Sequence, residues 1–293
     1  MATEKIQKIA ITGGKGGTGK STFSVLLANK LIKQGHKVVL VDVDVECPND
    51  YLLVNQKLEK IAKFVYTKFP KLDKRKCRKC GLCVESCKSN AIFQAPGKYP
   101  IFLPELCAGC GVCWLTCPYN AIRPQKVKTG KIFVNKVKRN LWLITGQTNP
   151  GLEETGPAVA QVKKFALQFA KKKNIDMVLF DTAAGIHCPV IQALIGVDLA
   201  YAVTEPTPMG AYDLESILSL SQKLKIRIKV ILNQANLGSK KLVEKVVNKY
   251  KTKIINEIPY SKNLAQAYSM GQLLNLKCDF KIKIEKNFYE KKI

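Results

Sequence analysis

The stretch Lys8-Ile9-Ala10-Ile11-Thr12-Gly13-Gly14-Lys15-Gly16-Gly17-Thr18-Gly19-Lys20-Ser21-Thr22 decides the fold. Ile6 to Thr12 reads as a short apolar strand, and Gly14 to Ser21 satisfies G-x-x-x-x-G-K-S. Ser21 to Gln34 then carries Phe23, Leu26, Leu27 and Leu31 at helical spacing and stops at Gly35. Strand, glycine loop and helix in this order is the context in which the motif binds phosphate. The glycines let backbone N–H groups curl round the oxygens, and the helix N-terminus adds a favourable dipole. The expected cradle is Gly14, Lys15, Gly16, Gly17, Thr18, Gly19, Lys20, Ser21 and Thr22. Within it Lys20 serves the β- and γ-phosphates and the Ser21 hydroxyl serves Mg2+.

Outward from the loop, Val38 to Val43 is a near-continuous apolar run, as a buried parallel strand requires. Further strand-like runs fall at Leu141–Thr145, Met177–Asp181, Leu199–Thr204, Lys229–Asn233 and Ile254–Ile258, with helical stretches such as Pro157–Lys172 and Leu214–Leu224 between them. This is the rhythm of an α/β fold, a mostly parallel sheet flanked by helices with right-handed crossovers. From about Phe64 to Gly130 the rhythm breaks into cysteines, prolines and basic residues. The expected layout is 1–63 and 132–293 for the α/β domain, with a small α+β insert over 64–131. The basic tail from Lys277 alternates and reads as an edge strand, with a surface-binding tail as the alternative, and Cys278 within it reads as a structural cysteine.

The insert repeats itself. Cys77–Ile92 (CRKCGLCVESCKSNAI) matches Cys107–Ile122 (CAGCGVCWLTCPYNAI), and the two hold eight of the chain's eleven cysteines. C-x2-C-x2-C-x3-C-P is the bacterial ferredoxin run, in which the fourth cysteine ligates the other cluster. The expected sets are Cys77, Cys80, Cys83 and Cys117 for one [4Fe–4S] cluster, and Cys87, Cys107, Cys110 and Cys113 for the second. A small repeat with few apolar residues would use such clusters as its core. Zinc or disulfides suit the spacing less well, because four-cysteine zinc sites use two separated C-x2-C pairs. Lys88 stands where a proline usually follows the fourth cysteine, which changes hydrogen bonding near sulfur without removing a ligand.

With its extra lysine, KGGTGKS resembles the deviant Walker A motif of the MinD/ParA/nitrogenase-iron-protein class. DVDVECPN, DTAAGIHCPV, VILN, TEPTP (Thr204–Pro208) and IPY (Ile258–Tyr260) extend the likeness. As a whole the chain resembles MinD-superfamily (SIMIBI-type, Mrp-like) P-loop ATPases that carry an inserted two-cluster ferredoxin domain. The resemblance implies that Lys15 reaches across a nucleotide-sandwich dimer to the partner's phosphates. It implies that Asp42 and Asp44 orient water and support Mg2+, that Asp181 is a Walker B aspartate, and that Asn233 recognises adenine. Ser21, Asp44 and Asp181 are then the Mg2+ set. Cys188, seven residues after Asp181, matches a cluster-ligating position of the nitrogenase iron protein, so a bridging or redox thiol there stays open, as does a packing role. Cys47 is a second thiol near the site.

The leading expectation is an ATP-hydrolysing iron–sulfur protein, slow without a partner, whose nucleotide-driven dimer switching controls electron transfer through two [4Fe–4S] clusters. A cluster carrier or metalloenzyme maturation ATPase is the first alternative, and a positioning ATPase on DNA or membrane the second. The expected cofactors are ATP, Mg2+ and the clusters. The expected partners are a second copy or a paralogue across the nucleotide, and a redox or client protein. Length (293 residues) and 46% hydrophobic content allow one large and one small core. The net charge of +26 can attract nucleic acid or anionic lipid, but the lysines spread along the whole chain, so a solvated surface is favoured. The polar start and the lack of a long apolar run give a cytoplasmic expectation.

Overall fold

β1 (Gln7–Thr12) buries every residue from Ile9 onward, because it lies between two other parallel strands with helices on both faces. In the computed structural model, which describes residues 6–152, 154–276 and 282, the elements that follow are α1 (Lys20–Lys33), β2 (Val38–Asp42), α2 (Asp50–Leu53), β3 (Ile61–Leu72), α3 (Leu82–Glu85), β4 (Ile92–Phe93), β5 (Ile101–Phe102), α4 (Val112–Leu115), β6 (Ile122–Lys138), β7 (Leu141–Thr148), α5 (Gly156–Lys173), β8 (Met177–Asp181), α6 (Cys188–Leu194), β9 (Leu199–Thr204), α7 (Pro208–Lys223), β10 (Ile228–Asn233), α8 (Lys241–Lys249), β11 (Ile254–Ile258) and α9 (Lys262–Ser269). The edge strand expected from Lys277 and the role of Cys278 lie outside the described residues.

The large sheet runs β11-β10-β9-β1-β8-β2-β7-β6-β3. From β11 to β7 all neighbours are parallel, while β6 is antiparallel to both β7 and β3. One face packs on α1, with Phe23 edge-on to Tyr201 at 5.6 Å. The other packs on α5 through Val159, Val162 and Ala166. α7 begins at Pro208, six residues before the sequence pattern placed it. The Thr207 hydroxyl caps it by accepting the Gly210 N–H at 2.9 Å, and proline suits the first turn.

The middle of the chain differs from the sequence expectation. It opens and closes on two long antiparallel strands, β3 and β6, that carry the main sheet outward without a break. β6 pairs with β7 over 130–138 and with β3 over 122–133. Along β3, Val65, Thr67 and Phe69 point inward while Tyr66 and Lys68 are exposed, so the period of two is present but short, and mixed with lysine, threonine and proline. The Thr67 and Thr129 hydroxyls share a buried hydrogen bond of 3.0 Å between the arms.

Beyond the arms the sequence repeat is also a backbone repeat. Lys79 and Gly109, Gly81 and Gly111, and Asn90 and Asn120 all take left-handed conformations in pairs. Each glycine of the middle pair opens a one-turn helix, α3 or α4. The Ser86 and Thr116 hydroxyls meet at 3.2 Å between the halves. Cys83, Ile92, Cys113 and Ile122 form a small core of their own, flanked by Leu72, Phe102 and Trp114.

Gly130 stands where the arms leave the body, paired with Thr148 at the end of the β6–β7 ladder. A Cβ there would lie 2.4 Å from the Gln147 carbonyl oxygen, which is backbone and cannot swing away. Gly130→Ala should cost roughly 1–3 kcal/mol, read as a lower denaturation midpoint at unchanged m-value. An unchanged midpoint would show that the arm is not seated as described.

Candidate functional site

Lys20 opens α1 and is buried, with its ammonium donating to the Lys15 carbonyl at 3.1 Å. Burial lowers its pKa, while Asp181 and Asp44 draw it back up. The loop before it is an open cradle. Gly16 and Gly17 are exposed, and a Cβ on either would meet no heavy atom within 4 Å. Gly13 and Gly14 are packed instead. A Cβ on Gly14 would fall 2.4 Å from that of Asp213, and one on Gly13 would fall 2.7 Å from the Val203 oxygen. The Gly13 carbonyl accepts the Gly185 N–H at 3.0 Å, which ties the loop to the segment after β8.

Asp42 and Asp181 end neighbouring strands and are register partners. Asp181 is fully buried and accepts from the Ser24 hydroxyl at 2.9 Å and from that of Ser21. Burial raises it to about 6 despite those bonds. Asp42 is raised well above the ordinary carboxylate range by burial, then by the charge of Asp181. Both its oxygens are engaged by backbone. One takes the Asp44 N–H at 3.1 Å, and the other takes Asn49 N–H at 2.9 Å and Asp50 N–H at 3.0 Å. Asp44 is less buried, raised by its own burial and eased by the Cys47 N–H.

Asp50 was missed by the sequence reading. It is fully buried, no N–H or hydroxyl donates to either of its carboxylate oxygens, and its pKa is raised well above normal by burial, then by the charges of Asp181 and Asp42 and by a carboxyl–carboxyl hydrogen bond with Asp181. Its only sequence signal is its place five residues past the DVDV strand end, where it looks like a turn residue. Three buried carboxylates therefore converge beside Lys20 and Ser21.

Two expected ligand contacts are engaged within the chain. The Lys15 ammonium is ion-paired with Glu205 of TEPTP. The Asn233 amide donates to the Thr18 carbonyl at 2.9 Å and packs over Gly19, so it braces the loop.

Cys77, Cys80, Cys83 and Cys117 line one pocket with Tyr119 and Ile122. Burial raises the Cys83 thiol, and Cys77 and Cys80 add to it. Burial also raises Cys107, with Cys110 and Cys87 beside it, and takes Cys113 to about 11, with Cys107 and Cys110 beside it. Backbone N–H groups of Lys79, Gly109 and Ala121 point at the sulfurs of Cys77, Cys107 and Cys117, each at 3.4 Å. Cys47 and Cys188 are exposed and do not line that pocket. Among the described residues no three His, Cys, Asp or Glu side chains are arranged around a single metal ion, and no helix is long and apolar enough to cross a membrane.

A strand-end phosphate loop with acids at the ends of the next two strands on one side, Asp181 on β8 and Asp42 on β2, defines a P-loop nucleotide-binding protein. Residues 9–274 match the CobQ/CobB/MinD/ParA nucleotide binding domain, and the chain belongs to that family, as a MinD/ParA-type P-loop ATPase. The chain is similar to the uncharacterized protein MJ0579 of Methanocaldococcus jannaschii, 35% identical over 90% of each chain. It is also similar to MJ0578 of the same organism, 32% identical over 98% of this chain and 96% of that one. Among solved structures it resembles the septum site-determining protein MinD of Pyrococcus horikoshii, complexed with Mg-ADP. The TM-score is 0.55 at 19% identity, covering 91% of this chain and 86% of that one, a likeness of fold.

The buried acids give a pH signature. A carboxylate whose folded pKa is raised stabilises the metal-free protein below its unfolded value of about 4, and that stability is lost as pH rises through about 6 for Asp181. Asp50→Asn takes one charge out of the cluster. It should raise the metal-free melting temperature by roughly 2–4 °C above pH 6 and leave it unchanged near pH 4. Melting curves that shift equally at both pH values would contradict the charge cluster.

Proposed function

We propose that this ATPase works as a nucleotide-sandwich dimer whose nucleotide state controls electron transfer through two [4Fe–4S] clusters held by the insert. The observation that carries the reading is the pocket lined by Cys77, Cys80, Cys83 and Cys117. Its fourth thiol comes from the other repeat, the crossed set that the ferredoxin run demands. The residues suit the group. The thiols sit in a small apolar core with backbone N–H groups aimed at sulfur, the surroundings that tune such a centre. A four-iron cluster also spreads its thiolates wider than one ion would. When bound, the clusters supply one-electron chemistry at a potential set by exposure and hydrogen bonds to sulfur.

On this reading Lys20 and the first-turn N–H groups of α1 bind the phosphates, while Ser21 and Asp181, supported by Asp50, face Mg2+. Asp42 holds the Asp44 loop in shape, and Asp44 orients water. Lys15 leaves Glu205 for the partner's phosphates when two chains close over ATP, which is the logic of a cation supplied in trans. The partner is a second copy or a paralogue.

A positioning ATPase is the second reading. The comparisons back it better than the cluster reading, because several similar solved structures are cell-division or plasmid-partition proteins. It gives the eight paired cysteines no task.

Anaerobic reconstitution tests the proposal. The expected result is about eight irons and eight sulfides per chain, with roughly half lost in Cys117→Ser. Lys15→Gln should still bind ATP but no longer dimerise with it. A chain that takes up zinc, or no metal, would overturn the cluster reading and leave the positioning reading in its place.

A further inference from the structure

The two halves of the insert share one backbone but not one charge. In the first repeat, positions 74, 75, 76, 78 and 79 are Lys, Arg, Lys, Arg and Lys, all exposed. Thirty residues on, the same positions are Pro104, Glu105, Leu106, Ala108 and Gly109. The fold is built without these cations in one half, so the cations of the other half are not there to form it.

Position 79 makes the point most sharply. Lys79 and its counterpart Gly109 have φ of 57° and 64°, a left-handed conformation that glycine adopts freely and lysine only at a cost. On the Gly109 side a Cβ would lie 3.0 Å from the Lys68 oxygen and the Thr67 methyl of β3, so that half is packed against the arms. On the Lys79 side the chain faces outward. Its ammonium lies 4.7 Å from the centre of the Tyr99 ring, with that of Lys74 at 5.7 Å. The Gln94 amide holds the Lys79 carbonyl at 3.1 Å.

Two of these cations, Arg78 and Lys79, line the pocket of Cys77, Cys80, Cys83 and Cys117, and Lys74, Arg75 and Lys76 lead up to it in the chain. Cys80 is exposed at its edge, and exposed Leu82 and Tyr119 give the face an apolar centre. An apolar centre inside a charged rim is the anatomy of a protein-docking face, and its sign selects an acidic partner. Tyr99, covered by two ammonium groups, is not free to stack a base as single-stranded nucleic acid would require.

We infer that the Cys77–Cys80 face of the insert docks an acidic one-electron carrier protein, and that this face, not the Cys110 face, is where electrons enter or leave. The exchange is one electron, lost by one partner and gained by the other, with no bond formed. The inference rests on the cluster reading above.

The test is calorimetric binding of an oxidised flavodoxin, used as the acidic probe, to the full-length anaerobic protein at low and high salt. Iron is counted on every sample. Wild type should bind with a Kd that weakens steeply with salt. Arg78→Glu with Lys79→Glu should weaken binding at least about tenfold and flatten the salt dependence. The control pair Lys172→Glu and Lys173→Glu, on α5, should change it by less than about twofold. Lys79→Gly removes a charge while easing the backbone, so a weaker Kd with full iron content cannot come from misfolding. Equal losses in the rim and control pairs would reduce the effect to overall charge and overturn the inference. So would an iron-loaded wild type that ignores flavodoxin but binds an RNA oligonucleotide through the same rim. A chain without iron would instead overturn the cluster reading.

Discussion

The Asp42 carboxylate organises the centre of this molecule. It is buried at the end of β2 and accepts three backbone N–H groups, from Asp44, Asn49 and Asp50. Those bonds fold the 44–50 segment back on the strand end, which points Asp44 toward Lys20 and drives Asp50 into the acid cluster. The same segment leads through α2 into β3, the first arm of the insert. One side chain thus sets both the nucleotide face and the departure of the cysteine-bearing segment. A ligand that changes the charge of Asp42, Asp50 and Asp181 acts on the root of that connection.

The connection is mechanically short. β3 pairs with β6 over 122–133, with register shifts near Lys63 and Tyr66, and the two strands continue the main sheet toward the cysteine-bearing segment. On the nucleotide side two contacts fix the loop. Lys15 is held by Glu205, and Gly13 holds Gly185 ahead of α6. A nucleotide that draws Lys15 away and fills the cradle over Gly16 and Gly17 changes both contacts. The 44–50 segment is tied to Asp42, and the segment after Asp181 is tied to the phosphate loop through Gly185 and Gly13.

Much of this was legible in the sequence, for physical reasons. Fully buried parallel strands have sharp apolar boundaries, and β8, β9 and β11 fall on the residues expected for them. The phosphate loop and the two cysteine runs are fixed by spacing, and Cys77, Cys80, Cys83 and Cys117 line one pocket in the structure. The arms were not legible, because their two-residue period is short and mixed with lysines and threonines, and Pro70 faces Pro124 where neither can donate to the ladder. Asp50 was hidden because its burial comes from the folded-back segment, not from any local pattern. Asn233 and Lys15 carry the expected residue types, yet in the single chain their side chains are engaged by Thr18 and Glu205.

The most direct measurement is an EPR-monitored redox titration of the anaerobically reconstituted protein, with and without MgATP and a slowly hydrolysed analogue. The account predicts a midpoint potential or line shape that changes with nucleotide, and loss of that change in Lys15→Gln. Spectra and potentials identical in every nucleotide state would contradict the coupling on which the account rests.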